Sequence, residues 1–337
     1  MLRAPDLADI GLAVAAQRLI ELSLGIVPGE RVLIVHDAAH EDIVTVVAEA
    51  VRAARAEPML VRLEDLGGRP HGVLHPRISD AVPLAQASLL LVEFHKGELQ
   101  MRTQMIEETT RAGLRHGHIV GVARASMVQG FSVDPRRIAE KARELMVRLK
   151  PDARITVRCG EAELFVQLAP SCRWVDYGCI VGSGKRVNLP GGELVTCPES
   201  VEGVYVANGT LGDADGALNR LLRDTPITVR IAGGRAKGVE CPRDPSLARA
   251  VLDRFARTTN LDRVGLVSFG VNLGLTTPLG DVFSDQKIPG VHLSFGDPFA
   301  HETGATWTSR SWLAFTSVGH DADLDKQPVL RGGRYIF

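Results

Sequence analysis

Four short apolar runs, at residues 32–35, 59–63, 88–94 and 118–122, recur between stretches of helical periodicity and leave few folds open to the first 150 residues. Val32-Leu33-Ile34-Val35 is too short for a helix, is rich in branched side chains, and follows the turn signal Pro28-Gly29-Glu30. Upstream, Leu7, Ile10 and Val14 form one row and Leu12, Ala15, Ala16, Leu19 and Leu22 another, which predicts a helix with a broad apolar stripe over 6–24. Further helices are predicted over 42–53, 101–112 and 135–149. Helices alternating with short buried strands imply a parallel sheet with crossovers, so residues 1–150 are expected to form a doubly wound α/β domain.

After Lys150-Pro151-Asp152 the texture changes. The runs 155–158 and 164–168, separated by Cys159-Gly160-Glu161-Ala162, read as a β-hairpin, and strands are predicted near 204–206, 227–231 and 264–269. Only 245–259 reads as a clear helix. Residues 151–337 are therefore expected to form a mostly β, α+β domain, and 337 residues suit two domains. There is no internal repeat and no low-complexity segment.

With 39 Lys+Arg against 40 Asp+Glu, the net charge of -1 provides no bulk attraction to nucleic acid or an acidic membrane surface. No run approaches the roughly 18 apolar residues that a spanning helix needs. Five cysteines, an odd number without a C-x-x-C pair, argue against a disulfide framework or zinc knuckle. A reducing, cytoplasmic setting is expected, and Met1-Leu2-Arg3-Ala4-Pro5-Asp6 lacks the basic-then-apolar order of a signal peptide.

Several chemical motifs fail on spacing. Gly182-Ser183-Gly184-Lys185-Arg186 suggests a phosphate loop, but the leading glycine and trailing hydroxyl of a P-loop are Cys179 and Arg186, so a plain turn is the better reading. Ser268-Phe269-Gly270 has Leu266 where a nucleophile elbow needs glycine. Cys197 could serve as a nucleophile, although a small buried hydrophobe is the commoner fate of a free cysteine. More informative are His292, His301 and His320, which share the C-terminal stretch with Asp285, Asp297, Glu302, Asp321 and Asp323. Imidazole and carboxylate together are the ligand set of zinc and non-haem iron, though no short ligand spacing such as H-E-x-x-H is present.

The block Asn188-Leu189-Pro190-Gly191-Gly192-Glu193, followed by Val195-Thr196-Cys197-Pro198 and Glu199-Ser200-Val201-Glu202-Gly203, resembles the thermophilic aminopeptidases, the aminopeptidase T and aminopeptidase S type of metallopeptidase. Gly270-Val271-Asn272 resembles that family's G-T-N. The run Ser284-Asp285-Gln286-Lys287-Ile288-Pro289-Gly290-Val291-His292 resembles its D-E-K-I-x-G-x-x-H, and residues 317–333 its S-x-x-H-x-D tail. Val27-Pro28-Gly29-Glu30-Arg31-Val32 also fits, so the resemblance covers most of the chain.

The resemblance implies an aminopeptidase T-like fold in which Glu193, His292 and His320 are metal ligands in the second domain, facing the cleft between the two. Three family positions differ here: the second metal-binding glutamate is Leu266, the active-site tyrosine is Phe299, and the aspartate after the last histidine is Ala322, flanked by Asp321 and Asp323. A small register shift would make Asp321 a ligand. Leu266 in place of a carboxylate implies one divalent ion rather than two.

The same architecture serves 2,5-dihydroxypyridine 5,6-dioxygenase, and two imidazoles with one carboxylate suit zinc hydrolases and iron(II) oxygenases alike. The resemblance thus implies one divalent metal ion, zinc or cobalt in a hydrolase of peptide or amide bonds, iron(II) in a ring-opening dioxygenase. In the hydrolase the ion would activate water, with Glu199 or Glu302 taking its proton. A third reading is a catalytically degenerate binding homologue. The expected partner is a small peptide or other small molecule, with no nucleic acid or membrane, and the resemblance implies a homodimer.

Overall fold

The computed structural model describes residues 7–337; Met1 to Asp6, read above for a leader pattern, lie outside the described residues. The chain forms two compact units, one from residues up to Ala139 together with Gly178–Gly191, the other from Glu140–Tyr177 and Gly192–Phe337.

The first unit holds a five-stranded parallel sheet in the order Glu57–Arg62, Arg31–His36, Ala87–Val92, Arg115–Val120, Arg186–Asn188. The central strands Arg31–His36 and Ala87–Val92 are covered on both faces, which is why their sequences run nearly continuously apolar rather than alternating. Val32, Ile34, Leu89, Leu91 and Ile119 pack on one side with Leu12, Leu19, Val44 and Val47. Leu33, Val35, Leu90, Val92 and Val120 pack on the other with Ile78, Met101 and Met105. Period-two alternation thus sorts one apolar run into two cores. The predicted first helix is shorter, Leu7–Arg18, and ends in one wider turn, Leu19–Ser23. Its Leu12, Ala15, Ala16, Leu19 row is buried, against the helices Glu41–Ala53 and Arg124–Gly130, while Ile10 and Val14 face solvent. The edge strand Arg186–Asn188 joins from far along the chain, and Gly182-Ser183-Gly184-Lys185 is the turn that leads into it. Gly184 N–H and Ser183 Oγ both donate to Gly113 O, at 3.1 and 2.9 Å.

The second unit is mostly antiparallel β, as expected. One sheet of eight strands centres on Pro198–Ala207, Ala162–Leu168, Arg154–Cys159 and Asp321–Leu324. A second, of seven strands, has Trp312–Phe315, Gly290–Gly296, Val264–Gly270 and Glu193–Thr196 at its middle. Tyr205 ties the sheets together: its buried hydroxyl sits 3.1 Å from Val291 O and 3.2 Å from Phe315 O, so the ring adds apolar contact without an unsatisfied donor. The helix Pro245–Arg257 starts where Asp244 caps it, accepting Leu247 N–H at 3.1 Å, with Pro245 at a position that needs no N–H donor.

Candidate functional site

Glu193 opens the strand Glu193–Thr196, whose neighbour Val264–Gly270 pairs in turn with Gly290–Gly296. Glu193, Gly270 and Gly290 lie in one row, and Val195, Ser268 and His292 lie two rows on. Residues two apart share a face, so Glu193, Ser268 and His292 emerge together. The glycines are required by space: a Cβ on Gly270 would lie 2.0 Å from Ile288 O. One on Gly290 would lie 2.9 Å from Ser317 O and 3.1 and 3.2 Å from the Cε1 atoms of His292 and His320. The fold thereby brings His292 and His320 side by side.

Glu193 has a different partner. Its Oε2 is 3.7 Å from Lys287 Nζ, and the two side chains are 8% and 3% exposed. Burial pushes the carboxyl upward, while Lys287 and a hydrogen bond from Ser268 oppose that shift. Lys287 Nζ also donates to Phe283 O. A buried carboxylate is tolerable when a cation and a hydroxyl compensate it, and here both come from the protein itself.

The imidazole hydrogen bonds define which nitrogens carry protons. His292 Nε2 lies 2.9 Å from the Ile288 carbonyl, which can only accept, so Nε2 is protonated, and Nδ1 accepts Ser317 N–H at 3.2 Å. In His320 the roles reverse. Nε2 accepts Val291 N–H at 2.8 Å, which puts the proton of the neutral ring on Nδ1, a buried atom with no hydrogen-bond partner among the described residues. Burial pushes His292 down to about 4 and His320 down to about 3, helped by the charges of Lys287 and His292 respectively, so both rings are neutral near pH 7.

A metal ligand must offer a free lone pair. His292 spends its lone pair on Ser317 N–H, and His320 spends its own on Val291 N–H. Asp321 is turned to the surface, where it accepts Gly332 N–H at 2.7 Å and lies 3.9 Å from Arg331. Among the described residues no three His, Cys, Asp or Glu side chains gather into a group able to hold a metal ion. The expected ligands Glu193, His292, His320 and Asp321 in this arrangement do not fit a divalent ion. The substituted positions agree: Leu266 and Ala322 are buried hydrocarbon, and Phe299 occupies a left-handed backbone position at φ 49°.

The two proposed proton acceptors are placed apart from that pair. Glu302, exposed on the short helix Ala300–Thr303, accepts the Tyr177 hydroxyl at 2.7 Å. Glu199 is exposed at the mouth of a cavity of about 350 Å³, lined also by Cys172, Cys197, Arg263, Thr306 and Trp307 but by neither histidine. Arg263 stacks on Trp307, its guanidinium carbon 4.2 Å from the ring centroid, and has no ion pair among the described residues. Burial and the neighbouring Cys172 push the Cys197 thiol up to about 12, which keeps it protonated and removes it as a nucleophile near neutral pH. Sequence reasoning missed Lys287 as the counter-charge of Glu193, and the Arg263–Trp307 stack. Neither pair has a local spacing signal, since each meets only through strand pairing or loop packing.

No family model matches this sequence, and no curated protein matches it at the sequence level. Solved structures match in fold. The structure of 2,5-dihydroxypyridine dioxygenase from Pseudomonas putida KT2440 superposes with a TM-score of 0.67 at 15% identity, over 99% of this chain and 98% of that one. Wild-type AmpT from Thermus thermophilus superposes with a TM-score of 0.61 at 16% identity, over 97% and 99%. The chain therefore has the two-part architecture shared by an aminopeptidase and a dioxygenase, and at these identities the likeness is one of fold.

Proposed function

We propose that this chain is a metal-independent, catalytically degenerate homologue on the aminopeptidase T-like scaffold, and that it binds a small organic molecule. The observation that carries this reading is the commitment of both imidazole lone pairs to backbone N–H groups, beside a carboxylate already neutralised by Lys287. The cavity at Cys197, Arg263 and Trp307 supplies a place for the ligand, with an aromatic wall, a guanidinium available to an anionic group, and the Thr306 hydroxyl. No helix among the described residues is long and apolar enough to cross a membrane.

Elemental analysis of protein purified without chelator or histidine tag, followed by titration with zinc and with iron(II) under anaerobic conditions, tests the proposal. No stoichiometric ion is expected. One tight ion per chain, lost in Glu193→Ala and His320→Ala, would overturn it and restore the metal-dependent reading, as a peptide or amide hydrolase with zinc or cobalt or a ring-opening dioxygenase with iron(II). We also propose a homodimer, as the resemblance implies.

A further inference from the structure

A second histidine pair lies in the first unit, on the sheet face covered by the helix Leu99–Arg111. Ser88, His116 and Arg186 share one row of the parallel sheet, and Leu90, His118 and Asn188 lie two rows on, on the same face. Ser88 Oγ is 2.8 Å from His116 Nδ1, and His116 Nε2 is 3.3 Å from His118 Nδ1. Ser88 is fully buried, so its hydroxyl must donate to His116 Nδ1 or leave its proton without an acceptor. The proton of His116 then sits on Nε2 and is donated to His118 Nδ1. His118, which is half-buried, must therefore carry its own proton on Nε2, where the chain of hydrogen bonds ends in a donor with no hydrogen bond among the described residues.

Two cations, Arg186 and Arg102, act on the His118 imidazole, and neither makes an ion pair among the described residues. Arg102, on the covering helix, is 9% exposed, yet its guanidinium makes no ion pair or hydrogen bond among the described residues, and its Nε is buried without a partner. Its guanidinium carbon lies 5.2 Å from the Phe94 ring centroid. Glu98 offsets part of the Arg102 charge at a distance, but its carboxylate is hydrogen-bonded by Arg69 at 2.8 and 2.6 Å and by His71 N–H at 3.1 Å rather than by Arg102. Arg186 donates to Asn188 Oδ1 at 2.6 Å and has no ion pair among the described residues, while the Asn188 amide N–H groups stay available as donors. Burial, His116, Arg186 and Arg102 all hold the His118 imidazole well below its usual range, as expected where positive charge is left uncompensated.

A buried guanidinium without a partner is costly, and natural proteins keep one where a ligand completes it. We propose that this face of the first unit binds the phosphate group of a small molecule, held by Arg102, Arg186, the His118 Nε2–H and the Asn188 amide. Phosphate suits the site better than a carboxylate, because a monoester carries about -1.5 to -2 charge near pH 7 and three acceptor oxygens, matching two guanidinium groups and two neutral donors.

The test is calorimetric titration of the full chain, at constant ionic strength, with inorganic phosphate, glycerol phosphate and citrate. Saturable binding of glycerol phosphate and of inorganic phosphate is expected. The tighter of the two identifies the source as an organic monoester or the free ion. Arg102→Met and Arg186→Met should each weaken binding by about tenfold or more, the worth of a charge-assisted hydrogen bond. Arg102→Met should also melt no lower than wild type without phosphate, since it removes an uncompensated charge, and should lose the rise in Tm that phosphate gives the wild type. Absence of phosphate binding, binding of citrate alone, or unchanged phosphate affinity in both folded variants would overturn the proposal.

Discussion

The molecule holds two histidine pairs, and they end differently. His292 and His320 accept backbone N–H groups and sit beside a carboxylate that has its own lysine. His116 and His118 are linked to each other and to Ser88, beside two guanidinium groups that make no ion pair among the described residues. Both pairs are held neutral by burial, so residue type and burial alone do not separate a self-satisfied strut from a site. The discriminating quantity is the count of lone pairs, protons and charges left over. In the second unit it closes except for His320 Nδ1, and in the first it leaves guanidinium groups without an ion pair and the unused donors of His118 and Asn188.

The largest effect expected from this contrast is that of Lys287→Met. Removing one partner of a buried pair leaves Glu193 uncompensated and should cost about 3–5 kcal/mol in urea denaturation. The double variant Lys287→Met/Glu193→Gln should recover much of that loss. Arg102→Met in the first unit should show no such loss, and equal destabilisation by the two substitutions would break the comparison.

Next in size is His320→Ala. It leaves Val291 N–H without its acceptor and opens space beside Gly290, for a loss of about 2–4 kcal/mol. Tm and urea midpoints measure it, and a loss no larger than that of an exposed substitution would show that the ring is not a strut.

The pH dependence follows from the depressed histidines, with His292 near 4 and His116 and His320 near 3 against 6.5 when unfolded. Between those values the unfolded chain binds protons that the folded chain refuses. Stability should therefore rise with pH through this window, and fall by up to about 1.4 kcal/mol per unit per histidine as pH drops below 6.5. The loss should level off below about pH 3, so far as these groups are concerned. Urea midpoints between pH 4 and 7 test the slope, and a flat profile would contradict the burial of all three rings.

The smallest effect is Asp321→Ala, expected within about 0.5 kcal/mol because the carboxylate faces solvent. It should change neither stability nor metal content, whereas a ligand aspartate would change the latter. Light scattering sets the assembly: a mass near that of one chain at micromolar concentration would remove the proposed homodimer.

The α/β character of the first unit was legible in Val32-Leu33-Ile34-Val35 and its counterparts, since a strand covered on both faces reads as a nearly continuous apolar run. The hairpin at 155–168 and the helix at 245–259 were legible for the same local reason, period and turn residues, with ends within a few residues of Arg154–Cys159, Ala162–Leu168 and Pro245–Arg257. Also legible was the concentration of histidine and carboxylate in the C-terminal stretch, but not its outcome. Whether His292 offers a lone pair depends on Ile288 O and Ser317 N, and His320 depends on Val291 N, which only the packing of strands and loops brings to the rings. The edge strand Arg186–Asn188 shows the same division. Three residues of mixed polarity have no periodicity to read, and pairing with Arg115–Val120 is what sets Arg186 and Asn188 beside His116 and His118. Local pattern determined the elements because burial along a strand or helix is a property of neighbouring residues. Tertiary structure decided the chemistry, because protons, lone pairs and counter-charges are shared between residues that the chain keeps far apart.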